Sequence, residues 1–507
     1  MHACTWHCQR DPPTRTRHWT STILSHLTLP PLRVWPGRPR ARDSPVHTKN
    51  FLALGSGEAV SRVIAFGAYI YLARVFGPDG YGVLAFAAAV TLYLARVADF
   101  SIEAIGTSEI AKDIGAIPRL GGAMLGARLA LAIALAVLST VIVQFTVTDP
   151  DRSVLTLYFF TLIPVALSTK WIHMGLQDML PISVWRVIGE TTFLALAISL
   201  VEGTNDLWTV PVALLAGDAV CSAGLYLRLR LSGYNFGLRW DLELTRKMFW
   251  RAAPLTGQLL LVLLLYNMDL FFLRLFCDTA AVGYYAAAYT LITFLANIGV
   301  AYAMSILPAF AEHGAHSGEE RSLYHTATAE VYAITLPIAV GGTFVASGVI
   351  TVAFGNDYVP SVSVLQILVW VIPSVVLRNV PWAALIARGH PSLLFRATAF
   401  AVITNGVLNI VLINLVGLVG AAIATAIAEP LATGLMFYYA AKKGLDLLPA
   451  RRLRQPTIAV VFMAAALLAL GDVTLLTQLV VGGTVYFIAL SILGGIRLAG
   501  GRPVLRL

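Results

Sequence analysis

The sequence predicts an all-α polytopic membrane protein with about fourteen transmembrane helices, arranged as two six-helix lobes plus a C-terminal helix pair. Hydrophobic residues make up 58% of the 507 positions and charged residues only 12%, about half of the charged fraction of soluble domains. Apolar stretches of about 20 residues, the length that spans a bilayer, recur from residue 51 to residue 496. This pattern leaves no room for a sizeable soluble domain.

Residues 1–48 differ from the rest of the chain and predict a disordered, basic cytoplasmic tail. They are rich in Arg, Pro, His and Trp, lack an apolar period and contain no hydrophobic region long enough for a signal peptide. A true start near Val46 is the alternative interpretation. The His and Cys residues near the N-terminus fit no standard zinc spacing, so no metal site is predicted.

The predicted membrane segments follow the recurrence of long apolar runs along the chain. We expect them at residues 51–73, 82–104, 120–146, 153–170, 181–201, 207–227, 252–274, 282–305, 326–353, 361–386, 392–414, 417–440, 456–470 and 474–496. An even number of spans places both termini on the same side of the membrane.

Basic residues are distributed unequally between alternate loops. With the N-terminus inside, the inner segments hold 28 Lys and Arg residues and the outer loops hold three. Cytoplasmic loops of membrane proteins carry such an excess. The sequence therefore predicts a multi-pass protein of the plasma (inner) membrane with both termini cytoplasmic.

The longest inner loop, residues 228–251, contains six basic residues and lies at the midpoint of the helices. We interpret it as a basic cytoplasmic linker between an N-terminal lobe at 49–227 and a C-terminal lobe at 252–440. Two extra helices and a basic C-terminal tail then occupy residues 441–507. Binding of lipid headgroups or of an acidic partner is the alternative role of the linker.

A short internal repeat supports the two lobes. The Arg-x-Phe run at residues 74–76 ends the first predicted helix and matches the run at 274–276, which ends the seventh. A few residues later, the segment that begins at Gly82 matches the segment that begins at Gly283. Because six spans separate the copies, the repeat is parallel, with its axis along the membrane normal.

Residues 72–113 combine an outer turn with a charged helix. The helix after the turn carries Arg96, Asp99 and Glu103 at spacing i, i+3 and i+7, which places the three groups on one helical face. Because charge within a spanning helix is costly, this face is expected to look into the bundle or a water-filled cavity. The stretch predicts a transporter but does not name its substrate.

Residues 72–86, LARVFGPDGYGVLAF, together with Asp99-Phe100 and GTSEIA at 106–111, closely resemble the bacterial polysaccharide biosynthesis flippases. These are the O-antigen and oligosaccharide flippases of the multidrug/oligosaccharidyl-lipid/polysaccharide exporter superfamily. The family usually has a Leu-Gly-Pro-Glu-Gly-Tyr-Gly-like turn and then Asp-Phe-Gly-Leu. This chain has Phe76 for the first Leu, Asp79 for the Glu and Ser101-Ile102 for Gly-Leu. The general resemblance covers roughly residues 50–497.

The resemblance implies two lobes around a central cavity and alternating access. It implies that an undecaprenyl-pyrophosphate-linked oligosaccharide is carried from the inner to the outer leaflet for cell-surface polysaccharides such as the O-antigen of lipopolysaccharide. The implied partners are this lipid-linked oligosaccharide, membrane lipids and other polysaccharide assembly proteins. Family members often hold the pyrophosphate in a cationic cavity, whereas their sugar specificity varies and is not carried over.

Charged residues within the predicted helices are the candidates for the site. Arg62, Arg96 and Arg378 are predicted to hold the pyrophosphate, because a guanidinium stays charged and grips phosphate oxygens in pairs. Three carboxylates are predicted to restrain these arginines or to exchange with a coupling cation: Glu58, Asp99 and Glu103.

Two charge pairs have alternative interpretations. Glu58 with Arg62, and Arg186 with Glu190, are i, i+4 pairs that neutralise themselves on one helix face. This neutralisation lowers the cost of burial, so a structural role is expected as much as a functional one.

Further polar residues in the spans are assigned mainly structural roles. Asp99 is a candidate partner for Arg128, although Arg128 is expected to snorkel to the inner surface. Asp269 is expected to serve the outer rim, and Asn405 and Asn409 are expected to support helix packing.

Three functions compete. Beside the flippase, an ion-coupled multidrug or metabolite antiporter of the same superfamily is the alternative, although five arginines within helices would repel cationic drugs. A membrane polysaccharide polymerase or glycosyltransferase would need a large outer domain or a soluble acidic metal motif, and the sequence has neither. We therefore predict a transporter rather than an enzyme, with no catalytic residue, cofactor, metal or nucleic-acid partner.

Overall fold

Long helices form most of this protein, and they follow the apolar segments of the sequence. The computed structural model describes residues 45–149, 151–312, 317–446, 450–471, 473–499 and 502–505. The predicted tail therefore lies outside the described residues up to Ser44, and the first helix begins at Pro45.

The first half of the chain ends at the basic linker. Its helices are α1 (Pro45–Asp99), α2 (Ile102–Lys112), α3 (Ile117–Thr146), α4 (Asp151–Phe160), α5 (Leu162–Ala166), α6 (Lys170–Leu176), α7 (Met179–Leu200) and α8 (Thr209–Leu231). Single turns of 3-10 helix lie at Ile114–Ala116 and Thr204–Asp206.

The second half begins with a helix that contains the end of the linker. Its helices are α9 (Leu242–Phe276), α10 (Thr279–Glu312), α11 (Gly318–Phe354), α12 (Ser361–Leu368), α13 (Val371–Leu377), α14 (Asn379–Ala387), α15 (Pro391–Val416), α16 (Leu418–Lys442), α17 (Ala450–Leu470) and α18 (Leu475–Ile492). A 3-10 turn lies at Asn356–Tyr358, and β1 (Ile496–Ala499) pairs antiparallel with β2 (Arg502–Leu505).

Thirteen helical stretches of the described residues are long and apolar enough to cross a membrane, against the fourteen predicted. The difference lies in the first two predicted helices, which fall in one helical stretch, Gly55–Lys112. A straight helix of these 58 residues would measure about 87 Å, nearly three times the thickness of the bilayer core. Gly77 interrupts it with φ 63° and ψ −175°. The count of fourteen stays a prediction.

The chain reverses direction at Gly77. Before it, Phe66 stacks on Phe294 of α10 with ring centroids 4.9 Å apart. After it, the hydroxyl of Tyr93 donates a hydrogen bond to the carbonyl of Leu263 in α9 at 2.8 Å. Helices α9 and α10 form a hairpin that is joined at Cys277. Both parts of α1 lie along this hairpin, and the end of each part nearest Gly77 is at the joined end. A glycine in the left-handed region, followed by a proline that opens the next helix, suits this reversal.

The turns that the sequence places outside lie together at one end of the helices. There, the rings of Tyr81 and Tyr358 meet edge to face, and Arg274 pairs with Asp151 at 2.9 Å. We call this the predicted outer end. At the opposite end, the extended stretch that precedes α9 packs on the start of α3.

Buried apolar side chains form two large clusters that follow the halves of the chain. One cluster joins α1 with α3, α4, α5, α7 and α8. The other joins α9 to α16 and includes residues of α1. Helices α17 and α18 pack against α11. Two lobes with matching helix order remain a prediction.

Candidate functional site

Arg378 lies where α13 ends and α14 begins, and only 8% of the residue is exposed. Its guanidinium forms an ion pair with Glu429 of α16 and donates to the hydroxyl of Tyr266 in α9 at 2.9 Å. Prolines at 381 and 430 adjoin these positions and remove backbone donors, which favours irregular backbone here. Arg378 is therefore held deep in the bundle by groups from two other helices. An anionic ligand would compete with Glu429 for this guanidinium.

Asp269 is 1% exposed and forms the centre of a buried hydrogen-bond network. It accepts hydrogen bonds from the hydroxyl of Tyr285 at 2.5 Å, Nδ2 of Asn409 at 2.6 Å and Oγ1 of Thr425 at 2.8 Å. Nδ2 of Asn405 donates to the same threonine at 3.2 Å. The expectation that Asp269 serves the outer rim is wrong, because its neighbours in three other helices enclose it.

This network adjoins the Arg378 ion pair, because Thr425 and Glu429 are one turn apart on α16. Oδ1 of Asn409 is buried and has no hydrogen-bond partner among the described residues. We call the whole group the C-terminal polar cluster: Tyr266, Asp269, Tyr285, Arg378, Asn405, Asn409, Thr425 and Glu429. Arg378 is recognisable in the sequence as a deep cation, but the network is not. Its nearest signal is the pair Asn405 and Asn409, which are one turn apart on α15 and joined by a hydrogen bond of 2.8 Å.

In the first half of the chain, Glu58 and Arg62 form the ion pair that their spacing predicts, at 2.8 Å. Both side chains are nearly half exposed. Just before them, Gly57 touches Ser183, so α1 and α7 are in direct contact here. Protein does not enclose this pair, which leaves Arg62 available to a ligand.

Arg186 and Glu190 of α7 form the second predicted pair, at 2.7 Å. Together with Asp218 of α8 they line a cavity of about 10 Å³. A volume of this size holds about one water molecule. The cavity is too small for a sugar or a phosphate group.

The single face expected for Arg96, Asp99 and Glu103 is not formed, because the helix ends among them. Phe100 and Ser101 have φ of 45° and 55°, in the left-handed region, and separate α1 from α2. The resembled family has a glycine at the position of Ser101, and glycine adopts this conformation without strain. The glycine of the resembled family was therefore the signal for the break, because Phe100 and Ser101 themselves give none.

Each carboxylate beside this break has its own partner. Asp99 pairs with Arg128 of α3 at 3.2 Å, with both side chains buried. Glu103 pairs with Lys170 of α6 at 3.2 Å. The expectation that Arg128 snorkels is therefore wrong. Arg96 is exposed, and no ion pair joins it to another described residue.

The three arginines predicted to bind substrate lie in different environments. Arg62 is exposed on the first part of α1, Arg96 is exposed near the end of α1, and Arg378 is buried in the second half of the chain. Within the described ranges, no hydrogen bond or ion pair connects them. Any shared ligand would have to meet them in turn or after a rearrangement.

A cavity of about 610 Å³ opens between α1, α10, α11, α12, α17 and α18. Its lining is mostly apolar and includes Phe66, Phe294, Pro337, Met463 and Tyr486. Such a lining suits a hydrocarbon chain rather than a charged group. The cavity connects the first part of α1 with the C-terminal helix pair.

Two family models each match more than half of the chain. The family described as polysaccharide biosynthesis protein matches residues 47–313. The family described as lipid II flippase MurJ matches residues 194–492.

One curated relative is the probable low-salt glycan biosynthesis flippase Agl15 of Haloferax volcanii, which is 26% identical over 176 residues. The match covers 34% of this chain and 37% of that protein, so the chain spans little more than a third of the relative.

Solved structures share the fold. The lipid II flippase MurJ in an inward closed conformation has a TM-score of 0.70 at 13% identity and covers 87% of this chain and 98% of that one. An inward-facing multidrug resistance MATE family transporter of the MOP superfamily has a TM-score of 0.59 at 15% identity, with 78% and 97% covered. At these identities the likeness establishes the fold alone.

Proposed function

The chain belongs to the polysaccharide biosynthesis protein and flippase family of the multidrug/oligosaccharidyl-lipid/polysaccharide exporter superfamily, and we propose that it flips a lipid-linked oligosaccharide. The proposed cargo is an undecaprenyl-pyrophosphate-linked oligosaccharide that moves from the inner to the outer leaflet of the plasma membrane by alternating access. Its end use is a cell-surface polysaccharide such as O-antigen. The observation that carries the proposal is the presence, in one bundle, of a deep guanidinium and a large apolar cavity.

The deep guanidinium suits the pyrophosphate. A bare diphosphate cannot cross hydrocarbon unaided, because each desolvated charge costs several kcal/mol or more. Arg378 offers paired donors in the bundle interior, and Glu429 keeps it neutralised between transport events. Arg62 and Arg96, which are exposed, are proposed to meet the pyrophosphate at other stages of the cycle.

The apolar cavity suits the polyprenyl chain. Its lining from α10, α11, α17 and α18 gives hydrocarbon a surface inside the protein while the charged and sugar groups remain in the polar interior. Phe66 belongs to this lining and lies one turn from Arg62 on α1. A cargo with a lipid tail and a charged headgroup would engage both features together.

One observation favours an ion-coupled antiporter as the second candidate. Asp269 is a buried carboxylate whose hydrogen-bond donors are neutral, and the unpartnered Oδ1 of Asn409 lies in the same network. Such a site can exchange a proton or a monovalent cation, since either would neutralise it. The same site can drive a flippase, so transport assays must separate the two functions.

The test uses a strain that lacks the gene and is complemented with single variants R62Q, R96Q and R378Q. We expect at least one variant to reduce surface polysaccharide at least tenfold and to accumulate the lipid-linked intermediate. The control is R321Q, because Arg321 forms an exposed pair with Asp446 outside the spanning part of its helix.

Normal expression with wild-type export in all three variants would exclude the cationic mechanism. A deletion that alters drug resistance but leaves surface polysaccharide unchanged would favour the antiporter.

A further inference from the structure

Gly82 of α1 and Gly283 of α10 bring the backbones of the two halves into contact at the predicted outer end. A Cβ on Gly82 would overlap the carbonyl oxygen of Thr279, and a Cβ on Gly283 would overlap the carbonyl oxygen of Pro78. Both obstacles are backbone atoms, which cannot rotate away as a side chain can. Only glycine therefore permits this approach at either position.

The contact is reciprocal. Each glycine touches the residue four positions before the other glycine, namely Thr279 before Gly283 and Pro78 before Gly82. Gly82 and Gly283 are also the positions that the internal repeat matches with each other. Equivalent residues of the two copies thus meet face to face, as expected where a pseudo-twofold axis passes between repeats.

The repeated arginines cross between the halves in the same reciprocal way. Nε of Arg74 donates to the carbonyl of Ala353 at 2.8 Å, and its Nη2 donates to the carbonyl of Val352, at the end of α11. Nη2 of Arg274 donates to Oδ2 of Asp151 at 2.9 Å, at the start of α4. Cations at a helix C-terminus and anions at a helix N-terminus are both favourable, so each contact has an electrostatic basis.

These contacts are suited to break and re-form. Arg74 is exposed and the side chain of Arg274 is 34% exposed, so water can replace their partners and screen the charges. The glycines contribute no side chain that would have to leave a pocket. The glycine contact aligns the halves, and the arginine contacts hold them by bonds that solvent can exchange.

We propose that Arg74, Gly82, Arg274 and Gly283, which we call the repeat clasp, close the predicted outer end and must separate for the sugar headgroup to leave. The identity of the cargo rests on the proposed function, whereas closure of the outer end by the clasp does not. The four are positioning residues, since they set the separation of the halves and need not touch the cargo.

The test measures the separation of the halves by pulsed electron spin resonance in purified protein. Spin labels are attached to the exposed positions Asn205 and Asp357 through N205C and D357C. The four native cysteines are first replaced by serine. Protein with an unmodified clasp should give a narrow distribution of short distances between the two spin labels. G82L and G283L should each move at least half of it to longer distances.

The control is G434L, because a Cβ on Gly434 of α16 meets no atom within 4 Å. It should leave the distance distribution unchanged. A short-distance population that persists in both G82L and G283L would overturn the clasp.

A second set of variants tests the arginine contact without crowding the backbone. R274D places like charges beside each other and should lengthen the distance, and the exchanged pair D151R/R274D should restore it. An exchanged pair that behaves as R274D does would overturn the role of this contact.

The same variants separate the clasp from the proposed function. Loss of the short distance together with loss of export supports both. A longer distance supports closure by the clasp whatever the export result, and a deletion strain with wild-type surface polysaccharide contradicts the proposed function alone. An unchanged distance overturns the clasp alone.

Discussion

Arg378 with Glu429 and Arg186 with Glu190 are ion pairs of the same type in different surroundings. The side chains of Arg378 and Glu429 are 10% and 4% exposed, whereas those of Arg186 and Glu190 are 50% and 13% exposed. A charge that is left without its partner costs more where protein encloses both members of the pair than where one member is half exposed. The same type of ion pair therefore contributes differently to the free energy of unfolding in each half of the chain.

This difference predicts the effect of removing each arginine. R378Q should destabilise the protein by about 3–5 kcal/mol because Glu429 remains buried and unpaired. R186Q should cost less, because the side chain of Arg186 is half exposed and its pair with Glu190 is less completely enclosed. Thermal unfolding of the purified variants in detergent checks this, and R378Q/E429Q should recover most of the lost melting temperature without recovering export. Equal losses for R378Q and R186Q would contradict the assignment.

At the scale of single elements, two left-handed positions decide how α1 is used. Gly77 divides it into two antiparallel parts, and the pair Phe100–Ser101 ends it before α2. The first position has a glycine and a following proline, which makes the turn visible in the sequence. The second has neither, so its backbone conformation depends on the surrounding contacts, including the hydrogen bond between Thr256 and Ser101 at 3.0 Å.

The turn at Gly77 predicts contrasting effects of two alanine substitutions on the same helix. A Cβ would meet no atom within 4 Å at Gly77 or at Gly67, so packing is equal and only the backbone differs. G77A should destabilise by about 1–3 kcal/mol, because its φ and ψ are accessible almost only to glycine. G67A should be neutral or stabilise by up to about 1 kcal/mol, because its backbone is helical. Melting temperatures that fall equally would show that Gly77 does not require glycine.

At the scale of the whole molecule, charge and geometry divide the chain in the same way. The predicted outer turns meet around Tyr81, Tyr358 and Arg274, while the basic linker packs on α3 at the other end. Lys and Arg resist translocation, so the basic end should remain in the cytoplasm.

This division predicts the sidedness of two loops. Alkaline phosphatase fused after Gly203 should be active, and a green fluorescent protein fused after Lys443 should fluoresce, since the first loop is predicted outside and the second inside. Exchanging the two reporters between the sites provides the control and should abolish both signals. The opposite pattern, or the same side for both loops, would overturn the predicted orientation.

The sequence by itself determined the helical membrane fold, the turn at Gly77 and the candidate Arg378. Spanning a bilayer requires a long run of apolar residues, and reversing a helix requires turn residues such as glycine and proline at one position. Both features can be recognised from a short stretch of sequence. The reciprocal positions Gly82 and Gly283 were also visible as a repeat, although their contact was not.

Only the tertiary structure decided which polar groups meet. Asp269 lies 140 positions from Asn409 and 156 from Thr425, and Arg378 lies 51 positions from Glu429. The cost of burying each group is local, but the partner that offsets this cost depends on which helices pack together and with what rotation. Apolar patterns of spanning helices are nearly uniform around the axis and do not encode that rotation. The C-terminal polar cluster therefore emerged from the packing and not from the sequence pattern.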